Sequence, residues 1–262
     1  MMIFRHELKR GRLAFIIWTA AIAFMLFICM ILYPEMEGEM SQVGETFSNM
    51  GSFSDAFGMD QLNFGEVMGF YGIECGNVLG IGGGFFAALL GIGMLSKEEK
   101  ERTAEFLLSH PVSRISVIGQ KLAAVLFQLI LMNVIIVGVA ALSFAVIGED
   151  MEAKEFLLLH LAFTVVQLEI ACLCFGISAF LRRGGLGIGL GLAAVLYFLN
   201  LIANISEEAE PLRYVTPFAY AEASDIIGNS EIDMTLMGLG VLYALVGVAA
   251  AFLKYTRKDI AA

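Results

Sequence analysis

Six long apolar segments limit what this chain can fold into. A helix needs roughly 20 apolar residues to cross the hydrocarbon core of a bilayer, and each segment is about that long. We therefore predict an all-α integral membrane protein with six transmembrane helices, in which residues 1–262 form a single domain. The predicted spans are approximately residues 13–33, 71–95, 122–147, 156–181, 184–205 and 235–253.

The overall composition supports this class and leaves no room for a soluble domain. Hydrophobic residues make up 58% of the chain, charged residues only 16%, and the mean hydropathy is +0.80. Soluble domains are much more polar than this. The polar stretches between the spans are too short to form one.

The chain begins with a basic amphipathic stretch. Residues 1–12 carry Arg and Lys beside Phe and Leu, which predicts a short helix lying on the inner membrane face. The apolar run that follows is too long for a cleaved signal, so it predicts a retained first span. Pro34 is expected to close that span, because proline removes an amide donor from the helix.

Two acid-rich stretches separate later spans. Residues 35–70 contain no Lys or Arg and predict an external loop, with one interfacial helix over residues 53–70. Residues 207–233 are also acidic, but their middle, residues 214–227, is apolar. Because two prolines interrupt this stretch, we predict a broken pair of short helices there and not a continuous span.

Basic residues fall almost entirely on one set of loops, and only Lys154 and Arg213 lie on the other set. Cytoplasmic loops carry the excess of Lys and Arg, so both termini and the 96–121 loop are predicted to be cytoplasmic. The opposite side is expected to be strongly acidic. The fourteen basic residues of the cytoplasmic set are Arg5, Lys9, Arg10, Arg12, Lys97, Lys100, Arg102, Arg114, Lys121, Arg182, Arg183, Lys254, Arg257 and Lys258.

The loop at residues 96–121 has the pattern of a short helix followed by a second helix start. Ser96 and Glu99 have the spacing of a capping box, in which each side chain bonds the amide of the other residue. Pro111 is expected to end this helix, and Ser113 or the serine three residues later to cap the next. The mixed charged and apolar surface suits docking into a groove of a soluble partner, although a solvated loop helix has the same pattern.

Glycine recurs at every fourth residue of the second span. Gly72, Gly76, Gly80 and Gly84 lie on one helix face, where small residues allow another helix to approach closely. The pattern is typical either of a sliding or dimerising surface or of static packing within one bundle. The glycines at residues 82–84 also permit a kink.

Glu169 lies near the middle of the fourth span, where a bare charge is costly. Its carboxyl group is therefore predicted to be protonated, hydrogen-bonded or exposed to a wet cavity. Two roles follow. It is either a pathway residue or a structural one bonded to a neighbour such as Asn133 or Gln167.

The sequence contains no catalytic, cofactor or metal constellation. The four cysteines are typical of small buried hydrophobes, with a Cys29–Cys75 disulfide near the outer surface as an open alternative. The Cys172-x-Cys174 spacing is wrong for zinc. The GLGLAA stretch at residues 189–194 is similar to a dinucleotide fingerprint, but it lies within an apolar segment and lacks the preceding strand.

Two stretches resemble a known family, the membrane permease subunits of type-2 ABC transporters. Residues 98–114, EEKERTAEFLLSHPVSR, are similar to that family's acidic segment followed by T-x-E-x-L-L-S-x-P-V-S-R. A weaker match lies at residues 212–226, where Tyr214, Thr216-Pro217-Phe218 and Tyr220 resemble the family's stretch before the last span. Elsewhere the resemblance is one of layout.

This resemblance implies a pair of permease subunits, identical or different, joined to two ATP-binding cassette ATPase subunits. It implies a short cytoplasmic coupling helix at residues 98–111, and an exporter in the lipid bilayer of a bacterial or archaeal cell membrane, without a nucleic-acid partner. The chain has no GxxxxGK[ST] loop, so ATP and Mg are expected on the partner and the permease is not itself an enzyme. The residues expected to contact the ATPase are Glu101, Glu105, Phe106, Leu107, Leu108, Pro111 and Arg114.

Two other classes of function stay open. A stand-alone secondary transporter or channel would need an intramembrane ionisable group, for which Glu169 is the candidate. An intramembrane enzyme would need a nucleophile or metal constellation, and the three histidines are scattered along the chain. Co-purification with a soluble ATPase would separate both classes from the permease.

The predicted topology can be tested directly. Single cysteines at Ser109 and Ser48, in a background without the four native cysteines, should react with an impermeant thiol reagent from opposite sides of the membrane. Labelling of both positions from the same side would contradict the cytoplasmic assignment of the 96–121 loop.

Overall fold

The computed structural model describes residues 2–48, 51–58, 61–63, 65–102, 112–182 and 185–258. Over these ranges the regular elements are helices and there is no strand. Six helical stretches in these ranges are long and apolar enough to cross a membrane, in agreement with the predicted number of spans. They are Met2–Met36, Val67–Ile92, Arg114–Ile147, Ala153–Ser178, Leu186–Ile205 and Met234–Arg257.

The α-helices of the described ranges are numbered in chain order. They are α1 (Met2–Ser48), α2 (Ser52–Ala56), α3 (Val67–Asn77), α4 (Gly84–Ile92), α5 (Lys97–Lys100), α6 (Arg114–Ile147), α7 (Ala153–Ser178), α8 (Leu186–Ile205), α9 (Ala223–Asn229) and α10 (Met234–Arg257). A π-helical turn, Val78–Gly83, joins α3 to α4. Two 3-10 helices, Glu207–Tyr214 and Ala219–Ala221, lie between α8 and α9.

The fourth span, α7, lies at the centre of the bundle. It packs against α4, α6 and α10, while α1 runs along α6 and α8 covers α4. Of its most apolar stretch, 61% is buried, the largest share among the six spans. The outer spans leave many large apolar side chains exposed, as a lipid environment allows.

The first helix is longer than the sequence predicts. α1 continues without a break from Met2 to Ser48, so a separate surface helix at residues 1–12 and a stop at Pro34 are both wrong. Proline removes one amide donor, but the hydrogen bonds before and after it can still form. The basic start of the chain is therefore roughly the first three turns of the spanning helix.

The two acid-rich stretches differ in their local structure. The interfacial helix predicted over residues 53–70 is wrong, because α2 ends at Ala56 and, among the described residues of this stretch, helix resumes only at Val67. Gly58 has a φ of 63°, a left-handed conformation that interrupts a helix. By contrast, the short helices predicted around residues 214–227 are confirmed by the second 3-10 helix and α9.

The π-helical turn lies where the glycines at residues 82–84 permit a change of backbone. The Gln167 side chain from α7 fits against Gly83, where an added Cβ atom would come within 2.1 Å of Nε2. Its Nε2 donates to the Leu79 carbonyl oxygen at 3.4 Å, and its Oε1 accepts from Asn133 Nδ2 at 2.7 Å. A polar bridge therefore links α6, α7 and the second span inside the bundle.

The second span packs its predicted glycine face against other parts of the same chain. This face consists of Gly72, Gly76, Gly80 and Gly84. The side chains that lie closest to it come from α7, α8, α9 and the segment before the second 3-10 helix, and include Phe163, Tyr197, Phe218 and Ile227. This arrangement is static packing within one bundle, which is one of the two interpretations of the glycine pattern.

A different glycine makes the closest contact between α4 and α7. An added Cβ atom at Gly91 would lie 2.3 Å from the Ala171 carbonyl oxygen, which belongs to the backbone and cannot rotate away. Gly91→Ala should therefore lower the thermal unfolding temperature of the purified protein, at an overpacking cost of about 1–3 kcal/mol. Gly138→Ala is the control, because open space surrounds that position. Equal melting of both variants would show that α4 and α7 are not in close contact.

Candidate functional site

Both ends of the chain and the loop between the second and third spans meet at one end of the bundle. Arg10 of α1 pairs with Glu101, just after α5. Lys258, after α10, pairs with Glu99 at 2.7 Å and donates to the Leu181 carbonyl oxygen at 2.8 Å. These contacts bring the predicted cytoplasmic loops together, and we call this the basic end.

Lys121 is a fully buried charge at the basic end. Its side chain is 0% exposed. The ammonium group donates to Glu7 Oε1 at 3.0 Å, to the Met94 carbonyl oxygen at 2.8 Å and to Glu98. Each of its three protons therefore has an acceptor, which offsets the cost of removing the charge from water.

Lys97 completes this group of charges. It pairs with the second carboxylate oxygen of Glu7, so that Glu7 bridges two ammonium groups. Burial lowers the pKa of Lys97, and the charge of Lys121 adds to this, while Glu7 and Glu98 oppose it. We call Glu7, Lys97, Glu98 and Lys121 the Lys121 cluster. It joins α1, α5 and α6.

Patterns within single segments of the sequence do not predict the Lys121 cluster. Its members lie in three separate parts of the chain, and charges near span ends are usually solvated. One signal could have pointed to it. Glu7 is the single acid among the basic residues 1–12, and it lies on the same helix as the apolar first span.

The capping box predicted at Ser96 is wrong, although a helix does begin there. The Ser96 hydroxyl makes no cap hydrogen bond and has no partner in the described ranges. Glu99 pairs with Lys258 instead of returning to the helix start. At the next helix the prediction is confirmed, because the Ser113 hydroxyl accepts from the Ser116 amide at 3.2 Å.

The two described residues of the predicted ATPase contact both make bonds within the chain. Glu101 pairs with Arg10. Arg114 Nη1 donates to the last carbonyl groups of the α10 end, those of Tyr255 at 3.3 Å, Thr256 at 3.2 Å and Lys258 at 2.6 Å. A cation is favourable at a helix C-terminus. The other five, which lie outside the described residues, are Glu105, Phe106, Leu107, Leu108 and Pro111; the contact stays a prediction for all seven.

Glu169 lies between α7 and α10 and is 2% exposed. Its carboxyl group rests against Gly240, where an added Cβ atom would come within 2.2 Å of Oε2. The Tyr220 hydroxyl lies nearby, but neither group has a hydrogen bond of ordinary geometry to any described residue. Asn133 and Gln167 bond each other, so their suggested role as partners of Glu169 is wrong.

The remaining candidate ligands take part in packing. All four cysteines lie in described ranges and are free, so the Cys29–Cys75 alternative is wrong. His160 is buried, and its Nε2 bonds the Tyr71 hydroxyl at 2.6 Å. In the part of the chain that the structure describes, no three His, Cys, Asp or Glu side chains come together as a metal site.

The Lys121 cluster makes a stability prediction. Lys121→Met keeps the length of the side chain but leaves the Glu7 and Glu98 carboxylates without their shared partner, at a cost of about 3–5 kcal/mol. Thermal unfolding in detergent should show a clear loss relative to Lys100→Met, because Lys100 is exposed. Adding Glu98→Gln to Lys121→Met should restore part of the loss. Equal stability of the two single variants would contradict the buried network.

Comparisons with known proteins agree with this layout. The sequence is 22% identical over 204 residues to the Uncharacterized protein YhcI of Bacillus subtilis (strain 168), a match that covers 68% of this chain. The chain spans 64% of the length of that relative. Residues 1–260 match the family described as ABC-2 family transporter protein. Six apolar helices and a match over nearly the whole sequence place this chain in the ABC-2 family of membrane transporter proteins.

Proposed function

We propose that this chain is the membrane permease subunit of an ATP-driven exporter. In this proposal the basic end is cytoplasmic, and residues 98–111 form a coupling helix that docks onto a separate ATP-binding cassette ATPase. Family membership supports the pairing with an ATPase, and the positive-inside rule supports the orientation. The chain itself lacks a phosphate-binding loop, so ATP and Mg would be bound by the partner.

The Lys121 cluster is the observation that carries the coupling proposal. Lys97 and Glu98 belong to α5, at the start of the proposed coupling helix, and their partners lie on α1 and α6. Glu99 ties the same short helix to Lys258, beyond the end of α10. A displacement of residues 98–111 would therefore be passed to the first, third and sixth spans through charged bonds and not through a flexible linker.

The wider assembly is also part of the proposal. Two permease copies, identical or different, would join two ATPase subunits in the cell membrane of a bacterium or archaeon. The many apolar side chains left exposed on the outer spans provide surface for lipid and for a second copy. Residues 1–262 would act as a single permease domain.

A stand-alone secondary transporter is the second candidate function. Its support is Glu169, a buried carboxyl group that lacks a hydrogen-bond partner of ordinary geometry among the described residues. Ionisable groups inside spans are rare, and many of them serve ion or proton pathways. Such a transporter would need no ATPase, which makes the two candidates separable by experiment.

Docking onto an ATPase should depend on the apolar residues of the 98–111 segment. Truncating a buried apolar anchor commonly costs on the order of 1–4 kcal/mol of association, whereas an exposed charge costs much less. Phe106→Ala and Leu107→Ala should therefore reduce co-purification of the ATPase and ATP hydrolysis in a reconstituted complex. Lys100→Ala is the control, since Lys100 is exposed and Lys97 takes part in the Lys121 cluster.

The interpretation requires that each variant remain inserted and folded, which thermal unfolding of the purified permease would establish. If the two apolar truncations bind and activate the ATPase as well as Lys100→Ala does, residues 98–111 form a passive loop. The secondary transporter would then become the better account of the chain.

A further inference from the structure

A small cavity lies at the end of the bundle opposite the basic end. It has a volume of about 40 Å³, is partly open, and is lined by residues of α2, α3, α7 and α8 and of the segment that leads into α9. Gly72 and Gly76 line one wall; Ile227 packs against Gly72, whereas an added Cβ atom at Gly76 would have no neighbour closer than Phe163 Cζ at 3.8 Å. The side chains that define its chemistry are those of Asn77, Phe163, Tyr197, Asn200, Phe218 and Glu222.

The polar groups of this cavity leave one buried acceptor, Asn200 Oδ1, without a hydrogen bond from any described residue. Asn200 Nδ2 and Asn204 Nδ2 both donate to Glu222 Oε2, at 2.9 Å and 3.0 Å. The Tyr197 hydroxyl donates to Asn77 Oδ1 at 3.0 Å. Asn200 is only 5% exposed, yet its Oδ1 atom has no hydrogen-bond partner within the described ranges. A ligand for this cavity must therefore be a hydrogen-bond donor.

The Glu222 carboxyl group and the aromatic rings of the cavity indicate which kind of hydrogen-bond donor would bind. Burial raises the pKa of Glu222 despite the hydrogen bonds from the two asparagines, so its ionised form is costly in the free protein and would be stabilised by a cation bound beside it. The Tyr197 and Phe218 rings meet edge to face with centroids 5.4 Å apart, and Phe163 lines the same space. Aromatic faces beside a carboxylate are typical of sites for organic cations.

We propose that this cavity binds the ammonium group of a small organic cation. The ammonium protons would bond Asn200 Oδ1 and the Glu222 carboxylate, with the first carbon atoms against the aromatic rings. A volume of about 40 Å³ exceeds the roughly 10–15 Å³ that one water needs but admits only such a head group.

A second, wider cavity beside Glu222 provides space for the rest of the ligand. Glu222 also lines a wider cavity of about 270 Å³, which contains Asp55, Glu210 and Asp225. Arg213 lies there as well, but it is paired with Asp225 at 2.6 Å. The wider cavity is therefore acidic on balance, which suits the remainder of a cationic molecule.

The proposal is independent of the ATPase, because binding can be measured on the full-length chain alone. The probe is n-butylammonium chloride, and n-butanol of the same chain length is the uncharged control. Butylammonium should raise the thermal unfolding temperature in a saturable manner and show saturation-transfer NMR contacts with the protein, whereas n-butanol and sodium chloride should not. An equal response to n-butanol, or none to butylammonium, would overturn the proposal.

Two variants locate the binding. Glu222→Gln keeps the shape and an acceptor for both asparagines but removes the charge, so butylammonium should bind at least about tenfold more weakly. Glu231→Gln is the matched control, because that acid lies at the same end but lines neither of these two cavities. Unchanged binding by Glu222→Gln would contradict the assignment.

Gly76→Ala tests the cavity without disturbing the fold. The nearest atom to an added Cβ there is Phe163 Cζ at 3.8 Å, an ordinary contact, and alanine favours the helix. The variant should melt at the same or a higher temperature than the unmodified chain but lose the response to butylammonium. Gly191→Ala, in open space on α8, should keep that response. A Gly76→Ala variant that still binds would place the ligand elsewhere.

The ammonium group could belong to a soluble amine or to an ethanolamine lipid. Nanodiscs that contain phosphatidylethanolamine distinguish them from nanodiscs of phosphatidylcholine alone. If the cavity holds an ethanolamine headgroup, the butylammonium response should be suppressed in the nanodiscs that contain phosphatidylethanolamine. If it binds soluble amines, the response should be equal in the two kinds of nanodisc.

Discussion

The buried ammonium group of Lys121 is the interaction on which the basic end depends. Charges removed from water are costly, and a buried lysine is stable only when its protons are all accepted. Glu7, Glu98 and the Met94 carbonyl group provide those acceptors from two different parts of the chain. Because Lys121 of α6 bonds Glu7 of α1 and Glu98 of α5 at the same time, these three helices are held in one arrangement.

The centre of the bundle is held by a different kind of contact. Gly91 of α4 lies against the Ala171 backbone, and Gly176 of α7 lies against Gly247 of α10, where an added Cβ would come within 2.5 Å of a carbonyl oxygen. Without a hydrophobic drive between helices in lipid, such close approach supplies packing energy. The central helix is thus fixed by shape, while the basic end is fixed by charge.

Hydropathy and the distribution of charge account for most of what could be predicted from sequence. The number of apolar helices follows from the hydropathy of each segment taken by itself, and the gathering of basic loops at one end follows from the distribution of Lys and Arg. The cap at Ser113 could be predicted because it is local, within three residues. The resemblance at residues 98–114 identified the family, and the family match over residues 1–260 supports it.

The parts that could not be predicted depend on long-range partners. No residue near Glu7 in the sequence predicts its ion pair with Lys121, which lies 114 positions away. The expected capping box failed because Lys258 competes for Glu99, and the expected partners of Glu169 bond each other. The cavity beside Asn200 arises only when α3, α8 and the segment before α9 come together. Pairings of this kind are fixed by tertiary packing and leave no periodic signal.

The central claim is that α5 and the start of α1 move as one unit when the ATPase acts. It can be tested by electron spin resonance distance measurements between labels at residues 9 and 100, in a complex with the ATPase, with and without ATP. Both positions are exposed lysines beside the Lys121 cluster. The account predicts a narrow distance distribution that ATP leaves unchanged, and a broad one in Glu7→Gln, which weakens the bonds of α1 to both Lys97 and Lys121. A distance that shifts with ATP in the unmodified chain, or one that Glu7→Gln does not alter, would contradict it.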